Sequence, residues 1–383
     1  MTLFRGLILT LFLPVFLLAK EPTICLNMIV KNESDVIERC LASVKPYIDH
    51  WVIVDTGSTD GTQRKIRNFM KDIPGELYER NWVNFSHNRN EAMELARDQA
   101  DYFLFIDADE TLRVDKSFKK EKLDRDLYVA FSHQHMGKFS RVLLANTKVK
   151  SKWEGVLHEV YQSNDIKTHE TLNNVAIIST YNDGCRSKLA DKFLKDAQVL
   201  EEGLKKEPNN ERYVFYLAQC YNAANEYEKA LKMYKKRVEM GGEEVGEVFY
   251  SQYQVGKLQS TLKMDPQRFI ESYSKAFLIN PTRVEPLYEI GLHYLQTDQD
   301  ILAYIVAEFG LEVIAQNHHE TRAVVVHLHN WIYDWGMELL YGDAAARLNK
   351  EKEAIAAYNK VIEKKDLPPD LHTHLKKVLA RGE

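Results

Sequence analysis

Three apolar runs of strand length restrict the first third of this chain to one class of fold. Thr23-Ile24-Cys25-Leu26-Asn27-Met28-Ile29-Val30 runs into Lys31-Asn32-Glu33, Trp51-Val52-Ile53-Val54 into Asp55, and Tyr102-Phe103-Leu104-Phe105-Ile106 into Asp107. A strand that is apolar at nearly every position is buried on both faces, which is the mark of a parallel sheet covered by helices on either side. The intervening segments supply the helices. Val36, Ile37, Cys40, Leu41 and Val44 recur at helical spacing, with Ser34 or Asp35 available as a cap and Pro46 closing the segment. A Gly57–Gly61 turn leads to Ile66, Phe69 and Met70, a short strand is expected near 77–79, and a further helix over about 85–100. In such sheets ligands bind beyond the carboxyl ends of the strands. Asn32, Glu33, Asp55 and the Asp107-Ala108-Asp109-Glu110 segment are therefore expected along one edge.

The spacing of Asp107 and Asp109 lets both carboxylates approach one hard cation, Mg2+ or Mn2+, which takes oxygen ligands and shares its shell with substrate phosphates. The plainer alternative is that these acids only solvate a loop and cap a turn. Asp55 could accept from a nucleobase or ribose, and the 56–62 turn offers backbone N–H groups at a helix start. No Gly-x-Gly-x-x-Gly or Gly-x-x-x-x-Gly-Lys loop occurs, which argues against dinucleotide oxidoreductases and P-loop NTPases. A net charge of −5 suits a nucleic-acid binder poorly. Four cysteines in 383 residues are no disulfide framework, and Cys25 and Cys40 read as buried thiols.

Taken in order, Ile29-Val30-Lys31-Asn32-Glu33, Val54-Asp55-Thr56-Gly57-Ser58-Thr59-Asp60-Gly61-Thr62, Arg89-Asn90-Glu91-Ala92 and Phe105-Ile106-Asp107-Ala108-Asp109-Glu110 resemble the blocks of family 2 glycosyltransferases of the GT-A fold, over residues 22–110. The resemblance implies a Rossmann-like α/β domain, a nucleotide-sugar donor, usually a uridine diphosphate sugar, and an inverting transfer. It implies that Asp55 contacts the uracil or ribose, that Asp107 and Asp109 form the metal and diphosphate motif, and that Arg89 and Asn90 lie near the nucleotide. His87 and Asn88 line the same groove or start a helix. The acceptor needs a base later in the chain. Lys152-Trp153-Glu154-Gly155-Val156-Leu157-His158-Glu159, after an expected strand at 141–145, resembles a Trp-x-Gly-x-x-His-Glu block of a subgroup of these enzymes. Glu159 is the expected general base, with His158 as an alternative base or third metal ligand; the plainer reading makes Trp153 core and His158-Glu159 a local polar pair. His133-Gln134-His135 is a weaker metal candidate, and Tyr181-Asn182-Asp183-Gly184 is similar to a block that in the subgroup often begins with His.

From Ser187 the apolar period changes to 3.6, with Leu189, Phe193, Ala197, Leu200 and Leu204 on one stripe. Residues 210–240 read as helix–turn–helix, with Leu217, Ala218, Tyr221, Ala230 and Tyr234 at tetratricopeptide spacing, and degenerate copies surround Tyr273, Ile290 and Tyr358. Residues 316–341 fit the period poorly. The expected division is 1–20, a signal peptide or short membrane anchor; 21–185, the GT-A domain; and 186–383, an all-α helical-repeat domain that holds a glycan or protein acceptor, a protein partner or a second copy. The N-terminal run suggests the secretory pathway or a membrane, and the chemistry of a bacterial donor suggests the cytoplasm. A different class of function is a catalytically inactive scaffold that binds partners through the repeats.

Overall fold

The computed structural model describes residues 21–134, 137–179, 181, 183–317 and 329–380. The expectations for residues 1–20, His135 and Asn182 lie outside the described residues. The N-terminal elements are β1 (Ile24–Val30), α1 (Ile37–Val44), β2 (His50–Asp55), α2 (Thr62–Phe69), β3 (Gly75–Glu79), α3 (Phe85–Ala96), β4 (Tyr102–Phe105) and β5 (Thr111–Val114). They continue with β6 (Leu127–Gln134), β7 (Gly137–Asn146), β8 (Lys152–Glu154), β9 (Val160–Gln162) and β10 (His169–Ile178).

Eight strands form one sheet in the order β3-β2-β1-β4-β7-β6-β10-β5. The three apolar runs are its parallel centre, with β1 between β2 and β4. β7 pairs antiparallel to β4, so the direction changes just beyond the strand that delivers Asp107. α1 and α2 pack on one face through Ile37, Cys40, Leu41, Val44 and Ile66. α3 covers the other face with Met93 and Ala96, and the Asn27 amide, buried within β1, donates to the Ala92 carbonyl at 2.7 Å. The β8–β9 hairpin extends that layer, with Trp153 edge-on to Phe105 at 5.2 Å.

Two local expectations change. α1 begins at Ile37 with no side-chain cap: the Ile37 N–H donates to the Glu33 carbonyl at 2.9 Å, and the Asp35 carboxylate is paired with Lys188. α3 stops at Ala96, earlier than its sequence pattern suggests, and is capped by Asn84, whose Oδ1 accepts from the His87 N–H. Cys25 and Cys40 are buried free thiols.

The remainder is helical: α4 (Lys192–Lys206), α5 (Glu211–Ala223), α6 (Tyr227–Met240), α7 (Val245–Thr261), α8 (Pro266–Ile279), α9 (Glu285–Gln296) and α10 (Asp300–Gln316). After a π-helical turn at Ile332–Gly336 come α11 (Met337–Arg347), α12 (Glu351–Ile362) and α13 (Pro369–Leu379). Consecutive helices pack as neighbours, and no single pair buries its own apolar face. The pairing rule is visible where Gly256 faces the Tyr273 ring and Gly342 faces Tyr358: a Cβ would come within 2.6 and 2.9 Å of those rings. Among the described residues, no helix is long and apolar enough to cross a membrane.

Candidate active site

β1, β2 and β4 end on the same edge, so Asp55 and Asp107 stand about two strand spacings, roughly 10 Å, apart across β1. Asp55 is 1% exposed. Its Oδ1 accepts from the N–H groups of Gly57 and Ser58 at 3.0 and 2.8 Å, which folds the turn back over the strand end. Its Oδ2 is buried with no hydrogen-bond partner among the described residues. A buried carboxylate oxygen left unpaired is costly, and it suits a ligand that brings its own donor. Asn32, at φ 56°, accepts from the Thr59 N–H at 2.8 Å and so props up the same turn. Glu33 accepts from the Cys185 N–H at 3.1 Å; burial, with the charges of Asp109 and Asp60 adding to it, pushes its carboxyl up to about 7.

Arg89 joins the two other predicted regions. Its guanidinium donates to Asp107 Oδ1 at 2.7 Å and to Glu159 Oε1 at 2.5 Å, while lying 5.2 Å over the Trp153 ring. Arg141 on β7 approaches Asp107 Oδ2 at 3.5 Å and pairs with the buried Glu110 at 2.7 Å. Burial alone would raise the Asp107 carboxyl, but the two guanidiniums outweigh it and hold it at about 2. Asp109 differs: burial and the Asp107 charge push it upward, and its carboxylate has no ion pair among the described residues. Gly184 permits this placement, since a Cβ there would lie 2.6 Å from Asp109 Oδ2. Asn90 is occupied elsewhere, its amide exchanging hydrogen bonds with both backbone groups of Trp153 at 2.7 and 2.9 Å, which pins β8 to α3. His87 likewise serves the start of α3, and Asn88 ties Asn81 and Val83 to it.

The Trp-x-Gly-x-x-His-Glu segment crosses from β8 to β9 with Gly155 at φ 115° and His158 at φ 53°. His158 stacks flat on Tyr216 of α5, ring centroids 3.8 Å apart. Burial, and then the Arg212 charge, depress its imidazole to about 4. The Val156 N–H donates to the Tyr213 hydroxyl at 3.2 Å. The helical region therefore braces the loop that carries Glu159.

Two cavities meet here. One of about 610 Å³ runs over the β1 end past Asn32, Glu33, Thr56 and Trp82. The other, about 870 Å³, lies toward His158, Glu159, Gln134 and Tyr161. Phe85, Arg89, Asp107, Asp109, Arg186 and Lys192 line both. Arg141, Arg186, Lys192 and Arg212 carry no sequence motif; Arg141 sits inside β7, and the other three are cationic residues at a turn or a helix start. Tyr181 is exposed, with Arg39 over its ring at 3.9 Å, and Arg39 also pairs with Asp183 at 2.6 Å.

A divalent cation can be tested against this donor set. No group of three or more His, Cys, Asp or Glu side chains forms a metal cage among the described residues. A hard cation that takes one or two carboxylates and completes its shell with phosphate oxygens and water needs no such cage. Asp109, which makes no ion pair among the described residues, fits that demand; Asp107 offers what remains of a carboxylate already shared by two arginines.

Residues 25–135 match the family model described as Glycosyl transferase family 2. The SPbeta prophage-derived glycosyltransferase SunS of Bacillus subtilis is 28% identical over 233 residues, 57% of this chain and 53% of SunS. A TPR repeat-containing protein of Synechococcus elongatus is 34% identical over 120 residues, 31% of this chain and 28% of that protein. The chain thus spans about half or less of the length of the curated relatives it matches. Among solved structures, the MamA protein is similar to 46% of this chain and 87% of its own, at 18% identity and a TM-score of 0.35. The chain carries a family 2 glycosyltransferase domain, matched over residues 25–135, joined to a tetratricopeptide-like array of helices.

Proposed function

We propose that this chain is an inverting glycosyltransferase that moves a sugar from a uridine diphosphate sugar, or another nucleotide sugar, to a saccharide, lipid-linked glycan or protein acceptor, with Mn2+ or Mg2+ on the diphosphate. The observation that carries this reading is the order of groups along one groove. Asn32, Glu33 and Thr56 line one end, with the buried, unpartnered Asp55 Oδ2 next to Thr56 in the chain; the Asp107–Asp109 pair stands in the middle, and Glu159 at the other end.

Asp55 takes a donor N–H or O–H of the nucleoside, and Asn32 holds the turn that shapes its pocket. Glu159 receives the proton of the acceptor as that acceptor attacks the anomeric carbon and the carbon–oxygen bond to the phosphate breaks, its electron pair leaving with the diphosphate. Arg89 fixes one Glu159 oxygen and leaves the other for the proton. The His158 ring, weakly basic and stacked on Tyr216, forms the cavity wall beside that base. Asp109, with Asp107, would hold a divalent cation, whose charge would offset that growing on the diphosphate. The helical repeats then hold the acceptor or a protein partner.

Melting of the full chain tests the reading. Uridine diphosphate with manganese should raise the midpoint by several degrees, since ligand at a hundred times its dissociation constant stabilises by about 2.7 kcal/mol. No shift with both present would favour the inactive scaffold.

A further inference from the structure

Three cations stand where the two cavities meet, and their partners distinguish them. Arg89 is committed to Asp107 and Glu159. Arg186 pairs with Asp196 on α4 and lies 4.6 Å over the Phe85 ring. Lys192, the first residue of α4, is half-buried; among the described residues its ammonium has no hydrogen-bond or ion-pair partner, and it lies 5.5 Å from the Phe193 ring centroid. Burial and the Arg186 charge hold Lys192 below the usual lysine range, while Asp109 is the nearby carboxylate pulling the other way.

Among the described residues, the sheet edge therefore presents an anion that makes no ion pair, Asp109, and the helical array a cation that makes none, Lys192, both lining the place where the cavities meet. Holding two unpaired charges partly out of water costs stability unless a ligand answers both. A ligand that carries both signs, a metal-bound diphosphate, would answer both: Asp109 would hold the cation and Lys192 the phosphate oxygens. We propose that Lys192, with Arg186 beside it, is a diphosphate-binding residue supplied by the helical array to the transferase site. The inference rests on the nucleotide-diphosphate reading above. In the transfer step, the electron pair of the broken anomeric carbon–oxygen bond remains on the terminal phosphate, and Lys192 places a fixed positive charge beside it.

The test uses inorganic pyrophosphate, uridine and uridine diphosphate, titrated calorimetrically into the full chain with manganese. Lys192→Ala should weaken pyrophosphate and uridine diphosphate about tenfold and leave uridine unchanged. Lys192→Arg should restore most of the loss. Lys206→Ala, at the exposed far end of the same helix, should bind as the unaltered chain does. Absence of pyrophosphate binding to the unaltered chain, equal affinity in Lys192→Ala, or an equal loss in Lys206→Ala would each overturn the inference. Pyrophosphate binding that depends on Lys192, with uridine diphosphate no tighter than pyrophosphate, would instead overturn the nucleoside part of the functional reading and leave this residue's role standing.

Discussion

The Arg212 guanidinium forks onto the backbone carbonyl of His158, with Nε at 3.1 Å and Nη2 at 3.0 Å. Arg212 belongs to α5 of the helical array, and His158 precedes the expected base, in a left-handed backbone conformation that a side-chain-bearing residue adopts at some cost. The array thus sets the geometry of the loop that carries Glu159. Arg212→Ala should lower kcat by about tenfold to a hundredfold while changing the donor KM less than threefold, because a base displaced by a fraction of an ångström loses alignment rather than affinity. Arg212→Lys should recover only part, since an ammonium cannot reproduce the fork. Steady-state kinetics and a melting curve on each variant check this, and an equal fall in stability and rate would reduce Arg212 to a structural tie.

Asp107 and Asp109 should part company when each is changed to Asn. Both variants are expected to lose transfer. Asp107→Asn also strips a charge from Arg89 and Arg141, and should destabilise the fold by about 2 kcal/mol. Asp109→Asn removes an anion that has no ion pair among the described residues, so the metal-free protein should melt within about 0.5 kcal/mol of the unaltered one. Denaturant melts beside activity assays decide it; full activity in either variant removes the metal from the reading.

Asp55→Asn preserves the oxygen that organises Gly57 and Ser58 but replaces the unpartnered acceptor with a donor. A nucleoside N–H that met Oδ2 would then face another N–H. Uridine diphosphate affinity should fall at least tenfold, by about 1.4 kcal/mol, with pyrophosphate affinity unchanged. Calorimetry with the two ligands separates this from a general loss of the site.

Glu33 gives a pH signature. Its folded carboxyl titrates at about 7, above the unfolded value, so its contribution to stability is complete below about 4.5 and is lost as pH rises through 7. The metal-free protein should therefore lose stability across that window, on the order of 1 kcal/mol once solvent screening is allowed for. Glu33→Gln keeps an acceptor for the Cys185 N–H and should flatten that part of the curve. Melting midpoints at pH 4.5, 6 and 7.5 for both proteins check the sign.

The acids were legible because strand-end position is written in the chain: an apolar run that stops at Asp55 or Asp107 declares both the strand and its edge. Glu159 was legible only through the neighbouring Trp, Gly and His, since nothing in its own spacing ties it to Asp107. That tie is Arg89, whose place on α3 was visible but whose reach across 70 residues to Glu159 was not. Asn90 shows the converse, a polar residue beside the site whose amide serves a strand backbone. Lys192 and Arg212 drew no reading from the sequence, because helical period reports which face is apolar and not which sheet the other face meets. The antiparallel half of the sheet was under-read for a related reason: β6 alternates buried and half-buried residues, a weaker signal than the continuous burial of β1.

Glu159→Gln tests the base directly. The carboxamide can still accept from Arg89 through its oxygen, so the loop, the donor groove and the fold should persist, and uridine diphosphate affinity should stay within about twofold. The amide cannot take up a proton at neutral pH, so the acceptor must lose its proton to water, and kcat should fall by a factor of about 10² to 10⁴. His158→Ala offers the contrast. Its imidazole is already weakly basic, and removing it chiefly takes away the Tyr216 stack, so a smaller loss in rate together with a lower melting point is expected. Turnover unchanged in Glu159→Gln but abolished in His158→Ala would transfer the role of base to the histidine.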